Sequence, residues 1–426
     1  MNAVPSPALG RLSRRSLLAA ALVAAPTALA APALALAGTR RTPTVTRPLL
    51  LGTYTSAEGG GTGIGTAAYD TATGVITPGP MITGVENPSY LALHPSGATV
   101  YAVAEQDAGA VTAVALAPDG TYDVLGTRPT GGSGPTHLSV HPSGRWLLSA
   151  NYTSGSVAVH PIAADGSLGE RTDLVTHSSP PPGPGRNGPH AHQIVTSPDG
   201  GHVLAVDLGT DTVYTYRLDE SAGTLTEVSR AALAPGSGPR HLTFHPGGRS
   251  AYLACELDNT TVVCAYDPES GTLTPGAGQS TGSETGYPAQ LVVTGDGSYA
   301  YLANRGPNSL TRYAVEDGGA ALRLLDTVPA GGDWPRQLAL SPDSSLLFAA
   351  NQRSSTVTAF RVGSDGSLAP AGEPLPAPVA VCVLPLALRR PAAAVTPRAG
   401  PVPAVTVVAE PRARTRGEDI REAQCA

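Results

Sequence analysis

The stretch Pro88–Gly97 reads PSYLALHPSG, and a strand-like run, VYAVAE, follows it at residues 100–105. The phrase returns about every 50 residues, and its later copies begin at Pro135, Ala191, Pro239, Pro288 and Pro335. Each copy holds two short apolar or alternating runs separated by a turn, most often of the form His/Ser-Pro-x-Gly, and a third alternating run follows. Such short, evenly spaced strands are typical of propeller blades. The repeat therefore predicts an all-β propeller built from four-stranded antiparallel blades.

The last copy of the repeat is incomplete. PVAVCVLPL begins at Pro378 and has no second strand behind it, whereas LLLGTY at 49–54 and GIGTAAY at 63–69 read like a second and a third run. We therefore expect seven blades over residues 47–386, with one blade shared between the N- and C-terminal strands. This closure leaves no open sheet edge, which is the physical reason for building it.

The composition agrees with one all-β domain. The chain has 426 residues, 50 Gly, 41 Pro and few aromatic residues. Length alone would suggest two or three domains, but each blade of a circular repeat buries its faces only against its neighbours. The net charge of −6 and the absence of a basic stripe argue against nucleic-acid binding.

Residues 1–37 are predicted to be an export signal. Arg14 and Arg15 precede a weak Ala/Leu/Val core, and small-residue cleavage sites end at Ala30 and Ala37. This pattern predicts a Tat-type signal that sends the protein to the cell envelope or the medium. The alternative is an ordinary secretion signal with a chance arginine pair. The apolar run is short and interrupted by proline, so we expect no stable membrane insertion.

Residues 387–426 are rich in Arg, Pro and Ala and lack strand alternation. We interpret them as a disordered tail, and a reading-frame error downstream of the natural end is the alternative. Cys255 and Cys264 lie on the two arms of one predicted hairpin and could form a disulfide in an oxidising compartment. They could equally be two small strand residues. No metal or other cofactor is expected, because no set of His, Cys and acidic residues has ligand spacing.

Two repeat positions are expected to meet at one mouth of the central channel. The first strand of each blade lines the channel and the second runs antiparallel to it, so the start of the first lies beside the end of the second. The first of these rings consists of Ser89, Thr136, His192, Arg240, Ala289, Arg336 and Val379. The second consists of Tyr54, Glu105, Tyr152, Leu208, Glu256, Arg305 and Gln352.

The charged members of these rings break the repeat. Small or neutral side chains would be enough to build the blades. Clustered charges are unfavourable because they must be desolvated together, so their presence indicates that they bind an anion or take part in a reaction. We therefore predict that His192, Arg240, Glu256 and Arg305, from three consecutive blades, are catalytic. Exposed rim charges that pair with one another are the alternative. The candidate substrate-binding residues beside them are Glu105, Arg336 and His241.

Other repeated polar residues are interpreted as structural. His94, His141 and His245 stand in the turns at the far end of the first strands, where an imidazole can cap the turn. The position after the first ring nearly always carries a hydrogen-bonding side chain, which predicts stitching between blades. Its members are Tyr90, His137, Gln193, His241, Gln290 and Gln337.

These residues carry a resemblance to a known family. GPRH at 238–241, ACELDNT at 254–260, GPHAHQIVTSPDG at 188–200, LGTYT at 51–55 and the closing PVAVCVLPL are similar to motifs of the seven-bladed lactonase family. That family includes the propeller-type 6-phosphogluconolactonase and the fungal carboxy-cis,cis-muconate cyclase. The resemblance covers nearly all of residues 47–386. By motif, it implies that the catalytic His, two Arg and Glu of the fungal enzyme correspond to His192, Arg240, Arg305 and Glu256. His190, in the third motif, is a further candidate for substrate binding.

The implied chemistry is the opening of a lactone. Ester hydrolysis needs a base for the attacking water, positive charge near the oxyanion and an acid for the leaving alkoxide. Glu256 or His192 could be the base, with the other as the acid, while Arg240 and Arg305 would hold the oxyanion and an anionic group. We expect a monomeric, metal-free hydrolase of the 6-phosphogluconolactonase type, acting on a sugar-derived or other anionic lactone. The alternatives are an exported, non-enzymatic propeller that binds a ligand or partner protein, and a muconate-type lactonizing cyclase.

Overall fold

The computed structural model describes residues 45–117, 119–178 and 188–387. These residues form thirty β-strands, arranged in seven antiparallel sheets, and one three-residue 3-10 helix, Asp317–Gly319. The export signal predicted for residues 1–37 and residues 388–426 of the predicted tail lie outside the described residues, and both stay predictions.

We number the sheets as blades 1 to 7 from the first complete sheet along the chain, and give the strands of each in chain order. Blade 1 comprises Leu91–Leu93, Thr99–Ala104, Ala110–Leu116 and Tyr122–Pro129. Blade 2 comprises Pro135–Val140, Trp146–Asn151, Ser156–Pro161 and Asp173–Thr176. Blade 3 comprises Ala191–Thr196, Val203–Asp207, Thr212–Asp219 and Thr224–Ala232.

The next three blades follow the same plan. Blade 4 comprises Pro239–Phe244, Ser250–Cys255, Thr260–Asp267 and Thr272–Ser280. Blade 5 comprises Tyr287–Val293, Tyr299–Arg305, Ser309–Glu316 and Ala321–Pro329. Blade 6 comprises Pro335–Leu340, Leu346–Asn351, Thr356–Val362, Leu368–Pro370 and Leu375–Pro376.

Blade 7 closes the ring with strands from both ends of the propeller, as the sequence predicts. Ala380–Pro385 is its innermost strand and pairs antiparallel with Thr46–Thr53, which pairs in turn with Gly63–Asp70. The short strands Ile76–Pro78 and Ile82–Thr83 complete its outer edge. Ala380–Pro385 also contacts the first strands of blades 6 and 1, so the channel is lined continuously across the junction.

The hydrophobic core is divided among the spaces between blades. Alternating strands present apolar side chains to both faces of each sheet, and each face packs on the next blade. Seven buried clusters result, one for each pair of neighbouring blades. In one of them, Leu204 and Val206 of blade 3 pack with Leu242 and Leu253 of blade 4. The sheets therefore support one another in a circle.

Histidines at the far end of the first strands cap their turns, as predicted. Nδ1 of His94 lies 2.7 Å from Oγ of Ser96 in the same turn, and its Nε2 lies 2.9 Å from the carbonyl oxygen of Gly144 in the next blade. His141 repeats both contacts in blade 2. In blade 4, Nδ1 of His245 accepts a backbone hydrogen bond of 3.0 Å within its turn. These imidazoles stabilise turns at the opening opposite the charged rings.

The predicted stitching between blades is present at three junctions. In each case a side chain after the ring position accepts a backbone N–H of the following blade. The pairs are His137 with Ile194 at 3.4 Å, Gln193 with Leu242 at 2.6 Å and Gln337 with Val383 at 2.8 Å.

The hypothesis that Cys255 and Cys264 form a disulfide is wrong. Cys255 and Cys264 are free and buried, and each faces a different partner across the hairpin. The register pairs Cys255 with Thr260 and Cys264 with Ala251, so the two thiols stand four residues apart along the ladder. That offset is roughly 13 Å, far beyond the reach of a disulfide. Burial raises the pKa of the Cys264 thiol to about 12.

The shared blade yields a stability prediction. A chain that ends after Ala377 lacks the closing strand, whereas a control chain that ends after Ala387 retains it. The removed strand buries Val381, Cys382 and Val383 almost completely. Its loss should cost about 5 kcal/mol in the free energy of unfolding, from apolar burial and main-chain pairing together. Thermal and urea unfolding measure the difference, and equal melting temperatures for the two truncations would contradict the closure.

Candidate active site

The residues of the first ring occupy β-bulges. In the first strand of blade 4, Pro239 pairs with Cys255 and His241 with Ala254, so Arg240 is the extra residue between them. Thr136, His192 and Arg336 hold the same place in blades 2, 3 and 6. A bulge bends its strand and turns one side chain out of the regular alternation. The ring position is therefore the place in each blade where a side chain can be aimed across the channel.

The member of the first ring assigned to blade 7 needs a correction. Counting back six residues from the last proline of this strand, as for the turn prolines of the other copies, gives Val379. The bulge in this strand falls instead at Val381. The stitching hydrogen bonds indicate the same register. Gln337 accepts the N–H of Val383, two residues beyond Val381, just as Gln193 accepts the N–H of Leu242, two residues beyond Arg240. The count fails because the half copy has no turn and second strand of its own to set its register.

Glu256 is bound by two arginines from neighbouring blades. Its Oε2 lies 3.1 Å from Nε of Arg240 and 2.6 Å from Nη2 of Arg305. Both guanidinium groups are almost fully buried, and the carboxylate is 19% exposed. The predicted juxtaposition of Arg240, Glu256 and Arg305 is thus present. The alternative was that these residues are exposed charges that pair with one another. The side chains do pair, but they are largely buried.

Backbone carbonyls of blade 5 orient the two arginines further. Nη1 of Arg240 donates to the carbonyl of Ala289 at 2.7 Å. Nε of Arg305 donates to Tyr287 at 3.0 Å, and its Nη2 to Pro288 at 3.3 Å. Each guanidinium is therefore fixed by a carboxylate on one side and by main chain on the other, which leaves it little freedom to rotate.

A second polar group spans the blade junction that closes the ring. Oη of Tyr54 donates to Oε2 of Glu105 at 2.8 Å and accepts from Nη2 of Arg336 at 3.2 Å. The Ser89 hydroxyl donates to the same carboxylate oxygen. Blades 6, 7 and 1 are linked in this way, and both Glu105 and Arg336 line a narrow cavity together with Arg240 and His241.

His192 stands among aromatic rings at the same mouth. Its imidazole packs edge-on against Tyr152 at 5.5 Å and against His241 at 5.1 Å, measured between ring centroids. Nδ1 of His192 and Nδ1 of His241 are both buried, and neither has a hydrogen-bond partner among the described residues. Buried ring nitrogens are costly to leave unpaired, so these atoms are candidates for contact with a ligand.

His190 lies at the entrance to the mouth in the blade 3 loop. Its ring stacks on Tyr152 with centroids 4.6 Å apart, and its Nδ1 lies 3.0 Å from the carbonyl oxygen of Tyr152. Its backbone N–H donates to Oδ1 of Asp207 at 2.9 Å, and Oδ2 of Asp207 pairs with the buried His177. The sequence analysis did not connect His177 with this loop, because the two histidines are separated by a long insertion.

The electrostatics of the mouth keep the imidazoles neutral. Burial and the positive charge of Arg240 hold the pKa of His192 and of His241 well below the ordinary value. Burial also lowers the pKa of His137, which packs near His241, to about 3. Burial and the neighbouring charges of Arg305 and Arg336 lower the pKa of Arg240 as well. The site therefore resists any further positive charge.

Glu256 responds to the same surroundings in the opposite way. Burial by itself would raise its pKa, but the charges of Arg305 and Arg240 outweigh burial and hold the pKa below its ordinary value of 4.5. Glu256 is consequently ionised at neutral pH, and it binds a proton only weakly. Its electrostatic role is to compensate the two guanidinium groups.

Two structural searches give negative results within the described residues. Across 45–117, 119–178 and 188–387, no group of three or more His, Cys, Asp or Glu side chains is placed to hold a metal ion. In the same part of the chain no helix is long and apolar enough to cross a membrane.

Comparison with known proteins assigns the family. The family described as "Lactonase, 7-bladed beta-propeller" matches residues 48–385. The 6-phosphogluconolactonase of Bacillus subtilis is 32% identical over 290 residues, which cover 67% of this chain and 82% of the relative. The solved structure of a periplasmic gluconolactonase from Pseudomonas aeruginosa is 31% identical, with a TM-score of 0.75 over 80% of this chain and 99% of that one. A putative 6-phosphogluconolactonase from Bacteroides fragilis is 29% identical, with a TM-score of 0.74 over 80% of this chain and 98% of that one.

This chain belongs to the seven-bladed β-propeller lactonase family. The resemblance drawn from the sequence motifs is confirmed, and so is the expectation of an enzyme of the lactonase type.

The buried ion pairs yield a prediction about stability and its pH dependence. Glu256→Ala leaves two buried guanidinium groups uncompensated and should lower the free energy of unfolding by about 3 kcal/mol at neutral pH. Because the folded-state pKa of Glu256 lies below the unfolded value of 4.5, its contribution is complete above that pH and is lost as pH falls through the folded pKa. Urea unfolding at a series of pH values should show the wild-type and variant stabilities converging in acid.

The matched control for this prediction is Glu316→Ala. Glu316 pairs with Arg323 at the surface, where both side chains are largely exposed. Its loss should cost less than about 1 kcal/mol. A Glu256→Ala protein as stable as this control at neutral pH would contradict the electrostatic description of the mouth.

Proposed function

We propose that the protein hydrolyses a lactone of the 6-phosphogluconolactonase type, a sugar-derived or other lactone that carries an anionic group. The observation that carries the proposal is the composition of the mouth. Three arginines, Arg240, Arg305 and Arg336, face two carboxylates, Glu105 and Glu256, beside imidazoles that burial keeps neutral. The family membership and the lactonase names of the relatives support the same chemistry.

The excess of positive charge favours an anionic substrate. Three guanidinium charges and two carboxylate charges leave one positive charge uncompensated inside a buried site. A phosphate or carboxylate would neutralise it and would accept charge-assisted, bidentate hydrogen bonds from arginine. Such a group would also offset the unfavourable desolvation reflected in the lowered pKa of Arg240. Arg336, which lines the cavity and donates to Tyr54, is the residue proposed to bind it.

His192 is proposed as the general base. The attacking water must lose a proton as its oxygen bonds to the lactone carbonyl carbon. The neutral imidazole of His192 can accept that proton, and its Nδ1 has no competing partner among the described residues. When the ring C–O bond breaks, the same imidazole can return the proton to the departing alkoxide. The product is then the open-chain hydroxy acid, and His192 is neutral again.

Arg240 and Arg305 are proposed to stabilise the oxyanion of the tetrahedral intermediate. Their charges lie within one cluster of ion pairs around Glu256, and positively charged donors fixed in advance stabilise developing negative charge most strongly. Glu256 would then act by holding the two guanidinium groups in place. Glu256 or His192 could be the base from the sequence alone. Two arginines already bind Glu256, whereas Nδ1 of His192 has no partner among the described residues, which favours His192.

Export through the Tat pathway is part of the proposal. It rests on Arg14 and Arg15 in the N-terminal segment and on the likeness to a periplasmic gluconolactonase. The substrate would in that case be a lactone found outside the cytoplasm.

The mechanism is tested with variants of the mature protein acting on 6-phosphoglucono-δ-lactone, with spontaneous hydrolysis subtracted. His192→Ala should lower kcat by roughly 10²–10⁴ because the base is lost. Arg240→Ala should cost about 2–4 kcal/mol of transition-state stabilisation. Glu256→Gln should lower kcat with little change in KM, because it disturbs the oxyanion donors and leaves substrate contacts intact.

The controls for these kinetics are His94→Ala and His141→Ala. Both histidines cap turns at the opposite opening, so their loss should alter stability more than rate. If lactone turnover survives both Glu256→Gln and His192→Ala, the reaction does not depend on these residues and the proposed mechanism is wrong. If the wild type opens no lactone above the spontaneous rate, the non-enzymatic alternative is preferred.

A further inference from the structure

Trp334 is a bulky residue held in a left-handed backbone conformation that favours glycine. It directly precedes the first strand of blade 6 and has a φ of 65°. At the same place, Gly134 and Gly238 have φ values of 59° and 58°, and Asn87 has a φ of 40°. Glycine and asparagine tolerate this left-handed region, whereas a bulky side chain is strained in it. Not every blade follows this preference, since blade 7 carries Val379 with a φ of 40° and blades 3 and 5 carry histidine and tyrosine here. Trp334 is the largest side chain held in the left-handed region at this place.

The strained backbone of Trp334 is held from both sides. Its N–H donates to Oδ1 of Asn308 at 2.8 Å, and its carbonyl accepts the N–H of Gln352 at 3.1 Å. Residues kept in such conformations by their surroundings are concentrated at ligand-binding and active sites. The fixed backbone means that the indole is presented in a defined direction.

The indole of Trp334 lies beside the charged cluster. The guanidinium of Arg353 covers the ring at 3.5 Å from its centroid, and that of Arg305 lies over it at 5.7 Å. Tyr287 adds a second ring, with its centroid 5.9 Å from that of Trp334 and a tilt of 44°. Tyr287 is 48% exposed although it is a large aromatic residue. Arg305 thus joins this aromatic pair directly to Glu256.

We propose that Tyr287 and Trp334 form an aromatic wall for the C–H face of a sugar lactone ring, to which the exposed Tyr287 ring and the edge of the indole contribute, and that they determine specificity for sugar-derived lactones. This inference rests on the proposed function. An apolar ring face beside a few convergent polar groups is the usual composition of a small-molecule site. Aromatic residues supply large apolar contact area with little conformational freedom to lose. A purely structural role would not need the indole, since Gly134 and Gly238 form the same turn without a side chain.

The first test uses the intrinsic fluorescence of the chain, which has two tryptophans. Trp146 is buried between blades 2 and 3, so Trp146→Phe leaves Trp334 as the only reporter. Titration with gluconate or 6-phosphogluconate, which are unreactive products, should change the Trp334 emission and saturate. In Trp334→Phe, which retains Trp146, the same titration should leave the emission unchanged. If Trp146→Phe does not fold, the loss of the wild-type signal in Trp334→Phe answers the same question.

The second test restores the residue that the repeat prefers. Trp334→Gly should raise KM for the sugar lactone about tenfold and leave kcat nearly unchanged, because it removes ring contact but no reacting group. Glycine relieves the left-handed strain, so this variant should melt no lower than the wild type. Trp334→Tyr should recover most of the affinity. An unchanged KM in Trp334→Gly would overturn the inference.

The two tests separate this inference from the proposed function. If the protein hydrolyses the lactone but the Trp334 emission stays constant at inhibitory gluconate concentrations, the aromatic wall is wrong and the proposed lactonase function is unaffected. If the Trp334 emission changes and saturates but the protein has no lactonase activity, the aromatic wall is retained as a binding site for sugar acids and the proposed enzymatic function is wrong.

Discussion

The pairing of Ala380–Pro385 with Thr46–Thr53 closes the seven sheets into a ring, and the mouth depends on that closure. The seven first strands converge on one channel only if the ring is complete. The polar group formed by Arg336, Tyr54 and Glu105 crosses the junction itself, from blade 6 through blade 7 to blade 1. Both ends of the propeller therefore contribute to the site, through Tyr54 near the N-terminal strand and Val381 in the closing strand.

Desolvation explains why this mouth differs from a neutral propeller channel. Burying Arg240, Arg305 and Arg336 is costly, and the protein compensates the cost only in part through Glu256 and Glu105. A bound anion would supply the remainder. The same burial that lowers the pKa of His192 keeps its imidazole neutral, so that one environment prepares both the anion site and a proton acceptor.

The fold could be predicted almost completely from the sequence, because six complete copies of the repeat give the same strand order and the split seventh copy indicates the closure. The charged members of the rings were also predictable, since charge at those positions violates the repeat. The bulges were not, because strand alternation carries no mark of an extra residue. Val379 takes the place of Val381 in the predicted ring because the half copy lacks the turn and second strand that set the register in the other blades. The link from Tyr54 to Glu105 depends on contacts between blades that have no fixed sequence spacing.

Trp334 is a different kind of omission. A comparison of the residue before each first strand shows a tryptophan where blades 2 and 4 carry glycine, but the strain becomes evident only from its φ of 65°. Repeat proteins allow such a comparison within a single chain, since each blade serves as a control for the others. The departures from the repeat at Arg240, Arg305 and Trp334 all fall at one mouth. One shared site explains all three more simply than a separate structural reason for each.

The most direct test of the account compares two lactones that differ by a single phosphate group. Steady-state hydrolysis of 6-phosphoglucono-δ-lactone and of glucono-δ-lactone by the mature protein gives kcat/KM for each after spontaneous opening is subtracted. The uncompensated positive charge of the mouth predicts a higher kcat/KM for the phosphorylated lactone, by about tenfold or more. A preference for the neutral lactone would contradict the role given to the arginines, and hydrolysis of neither above the spontaneous rate would contradict the enzyme itself.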